Sequence, residues 1–368
     1  MIEQLNSLPL KQKVGQLFFI GIAGPEIDAE TRDLLDEVSP GGICLFTRNI
    51  REAGQTRRLL DDLSGSLPVK PFLSLDQEGG LVDRLRRILT PMPAANKIKT
   101  VDDASRLAKL VAESVRILGF NMDFAPVVDV VDHLREQTGN GLYSRAFGRS
   151  REDVVELAGE FLHVLQQNGV IGCIKHFPGL GAAKVDSHEE LPAVEIAEDE
   201  FFSTDLEPYK VLIDSGEVRL VMAAHAAFPN VGLQELDESG KLLPSSLSQK
   251  FITQLLRAEL GYDGLTITDD LEMGAIMKNY GIGSACVMAI NAGQDQLAIC
   301  AEPKNIREGF NAVLAAVETG KISEERLNGS LDRIAELKTH LSEPLPFDTA
   351  RLASISNEIN EFNTHLNR

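Results

Sequence analysis

The sequence predicts an α/β chain folded as a (β/α)8 barrel of the TIM type, a single domain with an extra C-terminal helix. Three observations predict it. Eight short apolar runs recur along the 368 residues, and stretches of helical periodicity separate them. Polar and charged residues follow the runs, at the strand ends where such barrels carry their active sites.

The runs are Leu17 to Gly21, Gly42 to Phe46, Phe72 to Leu75, Met122 to Ala125, Gly172 to Ile174, Leu220 to Ala223, Leu265 to Thr268 and Gln296 to Ile299. Continuously apolar strands alternating with helices belong to a parallel sheet covered on its faces. Among the helical stretches, Ala104 to Leu118, Asp153 to Leu165 and Ser248 to Leu260 run into the stop signals Leu118-Gly119, Asn168-Gly169 and Leu260-Gly261. An open doubly wound sheet is the competing architecture. No G-x-G-x-x-G follows the first run, which weakens its dinucleotide-binding form. After the eighth unit, Ser323 to Leu341 reads as one more amphipathic helix, and the remaining residues are polar. Residues 1–341 are thus expected to form the barrel. Residues 342–368 are expected to be an extension, packed on it or partly mobile.

The bulk numbers exclude some functions. A net charge of −19 argues against nucleic acid or an anionic membrane as partner, because both repel an acidic protein. No window approaches the roughly twenty apolar residues of a membrane span, and the N-terminus has no signal-peptide pattern. Cys44, Cys173, Cys286 and Cys300 are scattered without metal-ligand spacing, as expected of buried thiols in a reducing compartment. The expectation is a cytoplasmic protein, monomeric, with no cofactor and no metal.

Chemistry gathers at the strand ends, which read Arg48-Asn49, Asp76, Asp129, Lys175-His176, His225 and Asp269-Asp270. Lys175-His176-Phe177-Pro178-Gly179-Leu180-Gly181, followed by Asp186-Ser187-His188, puts a cation, two imidazoles and a carboxylate on one glycine-rich loop. A carboxylate one residue from His188 can hold the ring and raise its pKa, so that it gives a proton to a leaving group and later takes one from water. Asp269 is placed to be a nucleophile, a base or a metal ligand, with Asp270 free to cap the next helix. Asp76 suits paired sugar hydroxyls. Arg84 can supply donors to the same ligand, or pair with Asp76 to close the loop. His176, His188 and Asp186 could bind zinc in principle, but Lys175 beside them opposes a cation.

The ordered motifs resemble glycoside hydrolase family 3, and within it the single-domain bacterial β-N-acetylglucosaminidases of peptidoglycan recycling. They are Gly15-Gln16-Leu17-Phe18, Leu45-Phe46-Thr47-Arg48-Asn49, Asp76-Gln77-Glu78-Gly79-Gly80, Asn121 to Val127, Arg145-Ala146-Phe147-Gly148, the Lys175 loop and Thr268-Asp269-Asp270-Leu271-Glu272-Met273. The resemblance runs from Leu5 to Leu341. It implies a retaining mechanism with Asp269 as nucleophile, His188 as general acid/base and Asp186 as its orienting partner. It also implies that Asp76, Arg84, Arg145, Lys175 and His176 hold the non-reducing N-acetylglucosamine, the substrate being a muropeptide. The pattern departs at Leu81, where arginine is common, and at Leu180, where histidine is usual. Transfer to phosphate, another β-glycosidase specificity and a non-catalytic sugar-binding barrel are the alternatives.

Overall fold

The computed structural model describes residues 5–138, 141–184 and 190–368. The strands are β1 (Phe18–Gly21), β2 (Gly42–Cys44), β3 (Phe72–Leu75), β4 (Gln77–Gly79), β5 (Val82–Asp83), β6 (Met122–Asp123), β7 (Ile171–Gly172), β8 (Ile174–Phe177), β9 (Leu220–Ala223), β10 (Leu265–Thr268) and β11 (Leu297–Ile299). One parallel sheet runs β11-β1-β2-β3-β6-β7 and another runs β10-β9-β8. They join at both seams. The Thr268 N–H donates to Gln296 O at 3.1 Å and the Gln296 N–H to Thr266 O at 2.9 Å, while Val128 N–H donates to Lys175 O at 2.8 Å. The ring is therefore closed, as a barrel requires.

Each of the eight predicted runs is a barrel strand. The fifth is split at Cys173, whose N–H donates to Ala125 O at 2.9 Å, so β7 pairs with β6 and β8 with β9. The short antiparallel hairpin β4–β5 was not among the predicted elements. Burial of the barrel strands on both faces explains their mainly apolar character.

The helices start where short polar side chains can cap them. Thr100 and Ser150 each accept a hydrogen bond from the N–H three residues on, opening Val101–Leu118 and Arg151–Gln167. Gly119, at φ 105°, ends the first of these in the left-handed conformation that glycine takes without cost. The predicted helix over 248–260 is wider than expected, a π-helix over Lys250–Glu259. At the N-terminal strand ends, buried Asp295 is gathered by Arg257 at 2.6 Å, Arg326 at 3.1 Å and Arg333 at 3.2 Å. That end is tied for stability.

The helix Pro303–Glu318 completes the eighth unit, and two further helices, rather than one, follow it: Glu324–Lys338 and Thr349–Leu366. The second is capped by Asp348 and buries Leu352, Ile355, Ile359 and Phe362. Arg351 pairs with Glu113 at 2.6 Å, and Arg106 lies 4.7 Å from the Phe362 ring centroid. No helix among the described residues is long and apolar enough to cross a membrane.

Candidate active site

A cavity of about 200 Å3 opens at the C-terminal strand ends. Strands β2, β3, β8, β9, β10 and β11, or the residues just after them, all contribute to its wall. Asp76, Arg84, Arg145, Lys175, His176 and Asp269 line it together, although they are spread over nearly two hundred residues of chain. Asp186 and His188 lie outside the described residues.

The hairpin explains how two of these side chains, and that of Glu78, are aimed. Gln77 receives its backbone bond from within the barrel, its N–H donating to Asp123 Oδ1 at 2.8 Å. Its side-chain amide donates to Asp83 at 2.8 Å, and Asp83 in turn accepts from the N–H groups of Leu85 and Met92. Asp76, Glu78 and Arg84 therefore ride on one rigid turn. Arg84 pairs with Asp76 at 3.2 Å, so the loop-closing ion pair exists and faces the cavity.

Lys175 and His176, joined by a cis peptide, both reach the cavity from β8. Lys175 Nζ lies 2.8 Å from Asp76 and 2.6 Å from Glu78. Arg145 grips Glu78 with two bonds of 2.7 and 2.9 Å, a fork-on-carboxylate geometry. His176 Nδ1 donates to Asp129 Oδ2 at 2.7 Å, and its Nε2 stands 3.3 Å from the Arg145 guanidinium. Since a guanidinium only donates, that nitrogen is the acceptor and the tautomer is fixed.

Burial would push the Asp76 and Glu78 carboxyls up, but the neighbouring cations outweigh it. Lys175 and Arg84 hold Asp76 well below the usual carboxylate range, and Arg145 and Lys175 hold Glu78 down at about 2. Both are anions at neutral pH. Lys175 is raised in turn despite its burial, because Asp76 and Glu78 flank it. The cluster presents fixed charges of both signs to anything that enters, which suits a ligand rich in hydroxyls.

Asp269 stands at the end of β10, half-buried. Its own N–H donates to Ala223 O at 2.9 Å, and its Oδ1 accepts the Asp270 N–H at 2.8 Å. Asp270 is no cap for the helix Gly274–Met277, which starts after Met273. Its carboxylate takes the N–H groups of Glu272 at 3.0 Å and Cys300 at 3.3 Å instead. Burial pushes Asp270 up to about 7.

Gly179 and Gly181 belong to the glycine-rich loop after β8. The described geometry gives them a packing role: a Cβ would lie 2.9 Å from Asp205 Cβ at Gly179 and 1.9 Å from Val130 O at Gly181. Leu180 is buried against the cavity, while Leu81 is 65% exposed at the hairpin tip.

Glu78, Asp129 and Asp123 had no assigned role from the sequence. Glu78 lay in a quoted motif and Asp129 at a strand end, and only the fold shows that they face cations and an imidazole respectively. Asp123 is fully buried behind the site and pushed up to about 8 by that burial. Among the described residues, no group of three His, Cys, Asp or Glu is arranged to hold a metal ion.

A closed parallel barrel with a carboxylate-lined polar cavity at its C-terminal strand ends defines the class, a barrel enzyme. Residues 9–337 match the glycosyl hydrolase family 3 N terminal domain. The chain belongs to that family and is a glycoside hydrolase. The beta-hexosaminidase of Pseudomonas aeruginosa strain PAO1 is 33% identical over 308 residues, covering 83% of this chain and 87% of that protein. Beta-hexosaminidase A of Pseudoalteromonas piscicida is 32% identical over 88% of this chain, which spans only 56% of that longer relative. A glycoside hydrolase family 3 beta-N-acetylglucosaminidase from Paenibacillus sp. str. FPU-7 superposes with a TM-score of 0.86 at 37% identity. That superposition covers 97% of this chain and 69% of the Paenibacillus one.

Proposed function

We propose that the chain is a retaining exo-β-N-acetylglucosaminidase that removes terminal N-acetylglucosamine from muropeptides in the cytoplasm. The observation that carries this reading is the Asp269 carboxylate in the wall of a small cavity that Asp76, Arg84, Arg145, Lys175 and His176 also line. Those five residues hold the hydroxyls of the non-reducing sugar. Their charges are mutually compensated before substrate arrives, so little reorganisation is needed on binding.

In the first step Asp269 Oδ attacks the anomeric carbon as the bond to the leaving oxygen breaks, and His188 delivers a proton to that oxygen. In the second step His188 takes a proton from water, whose oxygen displaces Asp269 with a second inversion. Asp186 orients the imidazole and favours its protonated form. Two displacements leave the β configuration retained.

The mouth supports an anionic leaving group. Arg48, Arg86 and Arg87 are exposed, and their guanidiniums hydrogen-bond only backbone carbonyls, with no acidic partner among the described residues. In a chain of net charge −19 such a local excess of cations suits a carboxylate-bearing aglycone. The four buried free thiols fit a reducing compartment.

The test is release of aryl alcohol from β-N-acetylglucosaminide and β-glucoside substrates by wild type and Asp269→Ala, with and without phosphate. Turnover of the first substrate only, lost in the variant and indifferent to phosphate, supports the reading. A phosphate-dependent rate would make the enzyme a phosphorylase, and turnover of the glucoside a different glycosidase. Binding without turnover would make it a sugar-binding barrel.

A further inference from the structure

His225 ends β9 and is fully buried, yet it does not line the cavity. Its Nε2 stands 3.1 Å from the carbonyl oxygen of Asp270. A carbonyl only accepts, so Nε2 carries the hydrogen. In the neutral ring Nδ1 is then an acceptor, and Ser246 Oγ, 2.7 Å away, donates to it. Ser246 is itself fully buried and bound to the same strand end, its N–H donating to Ala224 O at 3.2 Å.

Asp270 is consequently held at three points. Its carbonyl is taken by His225, its carboxylate by the N–H groups of Glu272 and Cys300, and its own N–H points at Asp269 Oδ1 over 2.8 Å. The last bond sets the direction of the Asp269 carboxylate. On the other side, the Asp269 N–H is fixed to Ala223 O, two residues before His225. The end of β9 thus clamps the Asp269-Asp270 turn through one backbone bond and one imidazole bond.

We infer that His225 is a positioning residue for the Asp269 carboxylate, acting through Asp270 and itself oriented by Ser246. The inference rests on the proposed role of Asp269. A nucleophile displaced by a fraction of an ångström loses rate without losing substrate affinity, because the five sugar-binding side chains sit on other elements. A misplacement of about 1 Å can cost about a hundredfold in rate.

The experiment compares His225→Phe, His225→Gln and Ser246→Ala on an aryl β-N-acetylglucosaminide, with Asp269→Ala alongside. Covalent trapping of Asp269 by a 5-fluoro N-acetylglucosaminyl fluoride, followed by protein mass, reads the attack step directly. In His225→Phe, kcat and the trapping rate should fall about a hundredfold with KM within about twofold. His225→Gln, whose amide can still donate to Asp270 O, should recover most of that loss. Ser246→Ala should show a smaller fall, about threefold, again in kcat alone. If His225→Phe does not fold, the last two variants carry the test. Unchanged kcat in the folded variants, or equal losses in the Phe and Gln variants, overturns the inference. Wild-type turnover by Asp269→Ala would instead overturn the proposed nucleophile.

Discussion

Lys175 Nζ and Glu78 Oε1 meet at 2.6 Å with both side chains almost wholly withdrawn from solvent. Neither is optional for the other. Lys175 is the cation that Asp76 and Glu78 share, and Glu78 is the carboxylate that also fixes Arg145. Breaking a buried pair costs more than forming it gains, because the survivor stays charged and unpaired. Glu78→Gln should therefore lose about 3 kcal/mol of stability, read as a lower urea midpoint. It should also lower kcat/KM by about tenfold to a hundredfold, since Arg145 loses its ion pair and Lys175 keeps only Asp76. A midpoint equal to wild type would show that the pair is not held in solution.

The same carboxylate sets an acid limit. Its pKa falls from 4.5 to about 2 in the folded chain, the pull of Arg145 and Lys175 exceeding the opposing effect of burial. A depressed folded value means stability fully present above about 4.5 and lost as pH falls toward 2. Melting temperatures between these limits should drop steeply for wild type and less steeply for Glu78→Gln. Parallel curves for the two proteins would count against the assignment.

Asp123 works in the opposite sense. Burial raises it from 3.8 to about 8, and its Oδ2 has no hydrogen-bond partner among the described residues. A raised folded value means that the folded chain keeps a proton the unfolded chain has released. Its contribution is fully present below about 3.8 and is lost as pH rises through about 8. Asp123→Asn keeps the acceptor for the Gln77 N–H and cannot ionise. Its stability relative to wild type should grow from pH 4 to pH 8 and then level off. A difference independent of pH, in thermal melts across that range, would show that Asp123 does not titrate there.

Much of this was legible in the chain, and the reasons differ by feature. The eight strands announced themselves because a strand buried on both faces has few polar positions to blur it. Asp76, Arg145, Lys175, His176 and Asp269 were singled out in motifs, Arg84 as a possible partner of Asp76, and the fold brings the six to one cavity. Glu78 sat in plain view in Asp76-Gln77-Glu78, but only the hairpin β4–β5 shows that it faces Lys175 rather than solvent. Asp129 was similarly mute, because its two acceptors serve the His176 ring and the Leu180 N–H from a distant strand end. The π-helix over Lys250–Glu259 has no composition signal of its own.

The last helix is the clearest miss, and its signal was present. Residues 342–368 read as polar, yet Leu352, Ile355, Ile359 and Phe362 recur at helical spacing behind the Asp348 cap. Four buried apolar residues among eighteen make a narrow stripe, easily outvoted by the polar face. In the fold that stripe lies against the helix Val101–Leu118, with Ser356 accepting the Thr90 N–H at 3.2 Å and Asn363 donating to Pro91 O at 2.9 Å. Thr90 and Pro91 follow the hairpin that carries Arg84. We therefore expect residues 342–368 to belong to the barrel domain rather than to hang from it. Phe362→Ala removes a fully buried ring and the Arg106 contact on it, and should cost about 3–5 kcal/mol. One cooperative urea transition shifted to a lower midpoint is the expected result, because the helix and the barrel unfold together. A separate early transition, with the main midpoint unmoved, would mean that the helix is an independent appendage.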